Sequence, residues 1–342
     1  MILSTIFPYN LRKVVCASVV LLCLFAAARA QTQDEPVVTV DTNLVLLNVG
    51  VADHKGQAVT DLTQGDFVVY EDGVKQSIVH FEPASAPFSL VLLLDMSGST
   101  LNFRPTLKQS ALRFIDALGP DDRVEVVSFN DKVQTLQHFT TDRKKIGFAV
   151  VELAKGRGDT NLYQALDYSL NQLSKEGKRR KAIVVLTDGL DTDMSKLDRE
   201  ATAQAKTGDE AVATVKPEQA AALRSVLDSA DRQGVTIYPL ALPSADPKNL
   251  LPLTPQQAAV YSAARTRMQT LADRTGGRLH EIHRLEDMGR LYAEVAADMR
   301  TLYSIAYQSS NARAHDGKWR AINIEVTRAD TIARSRPGYY AR

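Results

Sequence analysis

Asp95, Ser97 and Ser99 stand two residues apart at the end of an apolar run, Leu90 to Leu94. Such a run has the length and texture of a strand buried on both faces. In an open α/β sheet, ligands collect at the carboxyl ends of strands. One carboxylate and two hydroxyls placed there, with Gly98 to let the backbone turn, form an oxygen-only set of low charge. That set suits a hard divalent cation such as Mg²⁺. The plainer alternative is that Ser97 or Ser99 merely caps the helix that follows near Arg104.

A second apolar strand, Lys181 to Thr187, also ends in an acid, Asp188, followed by Gly189. Between the two lies Gly158-Asp159-Thr160-Asn161-Leu162, a glycine-bearing loop that opens a helix over Leu162–Leu173. In order and context these residues resemble the von Willebrand factor type A domain and its metal-ion-dependent adhesion site. The resemblance implies roles for five of them. Asp95, Ser97 and Ser99 would hold the ion from the first loop. Thr160 would ligate it directly or through water, and Asp188 would act mainly through water. Mg²⁺ is the expected ion, with Mn²⁺ or Ca²⁺ as alternatives. Hydroxyl ligands leave the cation electron-poor, so it would favour a carboxylate offered by a protein partner.

The chain ends carry different information. Arg12 and Lys13 precede an apolar stretch, Val14 to Ala28, and Ala28-Arg29-Ala30 forms a cleavage site. Residues 1–30 therefore read as a cleavable signal peptide, placing the mature chain in the periplasm, at the cell surface or outside the cell. Both cysteines, Cys16 and Cys23, lie inside that leader, so no disulfide is expected in the mature fold. Losing Arg12, Lys13 and Arg29 leaves 38 basic residues against 40 acidic ones. That balance gives no general attraction to nucleic acid, and no later segment is apolar enough to span a membrane. The basic cluster Lys178-Arg179-Arg180-Lys181 sits between a helix and a strand, where the helix carbonyl end favours cations.

The rest of the sequence must position the site. Residues 31–86 read as β: Val45, Leu47, Val49 and Val51 alternate along one strand, and Phe67–Glu71 and Ser77–Phe81 flank the turn pair Asp72-Gly73. Residues 87–302 alternate strands and helices, which implies a doubly wound, mostly parallel α/β sheet. The hairpin Arg123–Phe129 and Val133–Phe139 would supply one antiparallel edge strand. Helices are expected at 105–118, 144–153, 162–173, 218–233 and 285–302. Leu190 to Pro217 and Pro243 to Pro255 read as long polar insertions near the metal edge. Residues 303–342 return to β and are too few to hold a core alone. They are expected to pair with the N-terminal arm into one small all-β, immunoglobulin-like sandwich. The layout also resembles bacterial secreted VWFA-related proteins, first grouped from acidobacterial sequences. Asp66-Phe67-Val68-Val69-Tyr70-Glu71-Asp72-Gly73 and Arg336-Pro337-Gly338-Tyr339 carry that second resemblance.

Several motifs lead elsewhere. Arg157-Gly158-Asp159 spells the integrin-recognition tripeptide but falls within the Thr160 loop, whose geometry accounts for its glycine. His280 and His283 lie three apart in a strand and face opposite sides, which disfavours one shared ion. Ser97 lacks the Gly-x-Ser-x-Gly frame of a hydrolase nucleophile, and no phosphate-binding loop follows any strand. The sequence reads as a non-catalytic, exported module that binds a protein through a divalent cation. Its alternatives are a metal-dependent hydrolase, which needs a general base near the site whereas neither metal loop shows a histidine, and an envelope protein whose ion only stabilises the fold.

Overall fold

A computed structural model describes residues 44–177, 179–245, 252–311 and 316–341. The expected leader, with both cysteines, lies outside the described residues. In chain order the strands and helices are β1 (Leu44–Asp53), β2 (Phe67–Glu71), β3 (Val74–Gln76), β4 (Ile78–Glu82), β5 (Phe88–Asp95), α1 (Arg104–Ala117), β6 (Arg123–Phe129) and β7 (Val133–Thr140). Then come α2 (Arg143–Phe148), α3 (Leu162–Leu173), β8 (Arg180–Thr187), α4 (Thr192–Ala201), α5 (Gly208–Thr214), α6 (Ala221–Gln233) and β9 (Val235–Ala241). The last are α7 (Pro255–Thr275), β10 (His280–Glu281), α8 (Met288–Met299), β11 (Leu302–Gln308), β12 (Trp319–Val326), β13 (Thr331–Arg334) and β14 (Gly338–Tyr340).

The central sheet runs β10-β9-β8-β5-β6-β7, parallel throughout except that β7 pairs antiparallel with β6. Every residue of β5 and β8 is buried. Both faces are covered, which is why these strands read as unbroken apolar runs and not as alternations. Leu90, Leu92 and Leu94 join Leu107, Phe114 and Tyr292 on the α1/α8 face. Val91 and Leu93 join Leu166, Val226 and Ile237 on the α3/α6 face.

Two four-stranded antiparallel sheets, β13-β1-β11-β4 and β14-β12-β2-β3, enclose a further core. Strand β1 pairs with β11 from Leu44↔Gln308 to Gly50↔Leu302, so segments from both parts of the chain share one sheet. Val45, Leu47, Val49 and Val51 point into this core with Phe67, Tyr303 and Ile305. The two motif stretches of the second resemblance meet inside it. Glu71 is buried and accepts hydroxyls from Tyr307 (2.7 Å), Ser309 (2.6 Å) and Tyr339 (3.0 Å). Gly338 lies so close to the Arg320 carbonyl and the Trp319 ring that a Cβ would collide with both.

Four expectations need correction. The partner of β2 across Asp72-Gly73 is the three-residue β3, not Ser77–Phe81; Asp72 (φ 49°) and Gly73 (φ 78°) make the tight turn. The following strand, β4, crosses to the other sheet, where Phe81 packs on Phe67 and Tyr303. Residues 190–217 are not an extended loop but hold α4 and α5, capped by Asp191 and Thr207. Ala211 and Val215 pack there on Ala259 and Ala263 of α7. The last helix ends at Met299, and Leu302 already belongs to β11. Residues 144–153 split into α2 and a π turn, Ala149–Leu153. Of the proline-rich stretch 243–255, residues 246–251 lie outside the described residues.

The basic cluster also has a different explanation from helix-dipole complementarity. Arg180 is buried over the Phe88 ring and donates to the carbonyls of Ala84, Ala86 and Leu302. Arg179 donates to the carbonyl of Asp121.

Candidate metal centre

Strands β5 and β8 lie side by side, so their carboxyl ends deliver Asp95 and the Thr187-Asp188 pair to one place. Asp95 and Asp188 are both fully buried. Asp95 Oδ1 accepts the Ser97 amide at 2.9 Å, and its Oδ2 accepts the Thr187 hydroxyl at 2.7 Å. Ser97 Oγ lies 3.2 Å from Ser99 Oγ, so the two hydroxyls share one side of the loop. Thr100 closes that loop by donating to the carbonyls of Asp95 (2.9 Å) and Ser97 (3.0 Å).

The loop carrying Thr160 is tied down from two directions. The Gly98 amide donates to the Gly158 carbonyl at 3.2 Å, and Gly158 holds φ at +110°, a value open to glycine and costly for other residues. On the other side, the Thr160 amide donates to Thr192 Oγ1 (2.9 Å), and the Thr192 amide donates back to the Thr160 carbonyl (2.9 Å). Asp188 Oδ1 accepts the Leu190 amide (3.1 Å), and its Oδ2 accepts the Ser244 hydroxyl (2.8 Å). The fold thus gathers Asp95, Ser97, Ser99, Thr160 and Asp188 at one sheet edge. A cavity of about 290 Å³ opens beside them, walled by Ser99, Asp159, Thr160, Asp191, Ser195 and Arg199.

Burial, and then the charge of Asp188, push the Asp95 carboxyl up to about 7. Two carboxylates this deep repel each other and cannot both stay ionised without a positive partner. Neither forms an ion pair among the described residues; Arg104 feels the Asp95 charge but spends its hydrogen bonds on the carbonyls of Met96 and Ser97. Among the described residues no cluster of three or more His, Cys, Asp or Glu is placed to hold a metal. The donors here are therefore hydroxyls around two acids, all oxygen, and this chemistry fits a hard divalent cation.

Sequence reasoning missed Thr187, Thr192, Ser244 and Asp191. Thr187 had a readable signal, being the last strand residue beside Asp188. Ser244 and Thr192 had none, because their contacts form only across loops distant in sequence. Asp191 is buried, caps α4 through the Met194 amide, and is raised by that burial. The histidines part as their spacing implied: His280 is buried and His283 exposed. Asp159 of the Arg157-Gly158-Asp159 tripeptide is exposed in the cavity wall.

A family model described as "von Willebrand factor type A domain" matches residues 90–190. The human voltage-dependent calcium channel subunit alpha-2/delta-2 is 31% identical over 121 residues, covering 32% of this chain and 10% of that protein. An uncharacterized protein of Synechocystis is 33% identical over 107 residues, covering 30% of this chain and 25% of that protein. The chain thus spans a quarter or less of the length of these relatives. Among solved structures, a von Willebrand factor type A protein from Catenulispora acidiphila covers 88% of this chain and 74% of its own, at 12% identity and a TM-score of 0.45.

Proposed function

Because the chain carries a von Willebrand factor type A domain, we propose that it is an exported binding module which recognises a protein partner through a divalent cation. One observation carries the reading: Asp95 and Asp188 are buried together with no ion pair among the described residues, the hydroxyls of Ser97, Ser99 and Thr187 stand beside Asp95, and Thr160 lines the adjoining cavity with Ser99. Mg²⁺ is the ion we assign. Asp95 would hold it with the hydroxyls, Asp188 would act mainly through water, and the hydroxyls would leave the ion with charge to offer an acidic side chain of the partner. The five residues first read from the sequence are the proposed ion site, and Thr187 and Ser244 orient the two acids. The leader expected over residues 1–30 favours an envelope or extracellular setting. Among the described residues no helix is long and apolar enough to cross a membrane. Neither metal loop contains a histidine to act as a base, so the reading is binding and not hydrolysis.

Pull-down from an envelope extract with the full mature chain tests this, run with Mg²⁺, with a chelator, and with Asp95→Ala. The expected result is a partner retained with Mg²⁺ and lost in both other arms. A partner held equally in excess chelator overturns the ion-gated reading and leaves the ion a structural role.

A further inference from the structure

Four cations crowd one side of the ion site. Arg104 and Lys108 stand one turn apart on α1, while Lys155 and Arg157 belong to the segment that leads into Thr160. Contacts place the Arg104 and Lys108 side chains and the Arg157 backbone along this edge. Arg104 Nη2 donates to the carbonyls of Met96 (2.6 Å) and Ser97 (3.0 Å), against the first metal loop. Lys108 Nζ reaches across to the Val151 carbonyl in the π turn. The Arg157 carbonyl accepts Asn130 Nδ2 at 2.8 Å, and the next carbonyl, of Gly158, accepts the Gly98 amide.

The cations are close enough to feel one another. Burial lowers the Lys108 ammonium, and Lys155 then lowers it further; burial likewise lowers Arg104, with Arg157 acting in the same direction. None of the four forms an ion pair among the described residues, and Glu152 is the acid that partly offsets Lys108. Arg199 lines the cavity together with Asp159 and forms no ion pair among the described residues. Like charges are normally interspersed with opposite ones on a near-neutral protein. The acids beside this segment are Glu152, Asp159 and Asp131, the last against Gly158; the chain as a whole is close to neutral, so four cations gathered here are a feature of this edge and not of the composition.

We propose that this basic track binds an acidic polypeptide segment of the partner, with one carboxylate on the cation and neighbouring acids on Arg104, Lys108, Lys155 and Arg157. The inference rests on the ion-gated reading above and names the partner's chemistry. An extended segment suits the layout, because alternate residues lie roughly 7 Å apart on one side of a strand and can meet successive cations. The exposed side chains of Phe148 and Leu153, on the same stretch of chain, add apolar surface for the partner. A concave site beside the track favours a protruding side chain over a flat lipid surface.

The test uses the full mature chain with Mn²⁺ as the ion and two labelled peptides of equal length. One carries a run of glutamates; the other carries a single glutamate among serines and glycines. The glutamate-run peptide is expected to bind about tenfold tighter, and the gain should vanish in the double charge reversal Lys155→Glu with Arg157→Glu. It should also shrink in salt of about 0.5 M, where charges are screened over a few ångströms. Equal binding of the two peptides, or a gain that survives the double reversal, overturns the track. Anionic lipid vesicles that bind more tightly than the peptide, and lose this binding in the same variant, overturn the polypeptide assignment. Failure of the underlying reading looks different: Mn²⁺ does not bind, or the single-acid peptide ignores a chelator.

Discussion

Asp95 and Asp188 divide one task between them. Both acids have each oxygen engaged, Asp95 by the Ser97 amide and the Thr187 hydroxyl and Asp188 by Leu190 and Ser244, but Asp95 belongs to the loop that also offers Ser97 and Ser99. Asp95→Ala is therefore expected to cut Mn²⁺ affinity by more than about a hundredfold, and Asp188→Ala by about ten- to a hundredfold, as a supporting anion would. Calorimetric titration of both variants decides the order, and equal or inverted losses would reverse the two roles. A second residue-scale expectation concerns His280, which is buried with Nδ1 3.8 Å from Glu294 Oε2. Burial holds its imidazole below the ordinary 6.5, with Arg278 and Arg334 acting in the same sense and Glu294 and Asp298 opposing. The unfolded chain then binds the proton first, so the contribution is present above 6.5 and is lost as pH falls from there through the lower value of the folded state. Urea unfolding between about pH 7 and pH 5 should show a shallower decline in His280→Gln than in the unaltered chain, and parallel curves would refute it. At this scale the sequence was informative wherever a side chain sits at a strand end or on a glycine loop. It was silent where, as with Ser244 and Thr192, a contact exists only after distant loops meet.

Elements show the same division. Strands β5, β8 and β9 were legible because continuous burial leaves an apolar run, and α3 because Leu162, Leu166, Leu170 and Leu173 repeat at helical spacing. Helices α4 and α5 were not, because they dock through alanines and a buried ion pair, which hydrophobic periodicity does not register. Arg267 of α7 grips Asp198 of α4 with two hydrogen bonds of 2.7 Å, both side chains nearly inaccessible. Asp198→Ala strands a buried guanidinium and is expected to cost about 3–5 kcal/mol, whereas Asp198→Leu with Arg267→Met should cost far less. Chemical denaturation of the two variants tests this. Similar losses in both would mean that the pair's own attraction, and not the stranded charge, sets the cost. Since α4 also carries Ser195 and Arg199 into the cavity wall, the single variant should weaken partner capture as well. The β2–β3 turn teaches a related lesson: Asp72-Gly73 marked the turn correctly, but nothing local revealed that the chain would change sheets after only three residues.

The whole molecule is held together where the chain passes between its sheets. Arg180 opens β8, and its guanidinium binds the carbonyls of Ala84 and Ala86 on the way into the central sheet and of Leu302 on the way out. The Phe88 ring lies beneath it, with the guanidinium carbon 4.0 Å from the ring centroid. Burial lowers its pKa to about 10, so it stays charged at neutral pH. Two further arginines fasten the same seam from the far end of the chain: Arg334 pairs with Asp298 of α8 (2.8 Å), and Arg336 pairs with Asp231 of α6 (2.5 Å). None of this could be read from periodicity, which sees Arg180 only as one of four consecutive basic residues. Arg180→Met keeps much of the apolar stem but leaves three carbonyls without their donor. Buried polar groups stranded this way cost about 1–3 kcal/mol each, so several kcal/mol of stability should be lost. The loss should be local in hydrogen exchange, with faster exchange expected near Ala84–Phe88 and Leu302. The ion site stands at the other end of β8, roughly 23 Å away at a strand's rise per residue. Mn²⁺ affinity in Arg180→Met should accordingly stay within about threefold of the unaltered chain, less than 1 kcal/mol. A large drop in ion affinity with unchanged exchange at the seam would show that Arg180 serves the metal edge and not the junction of the sheets.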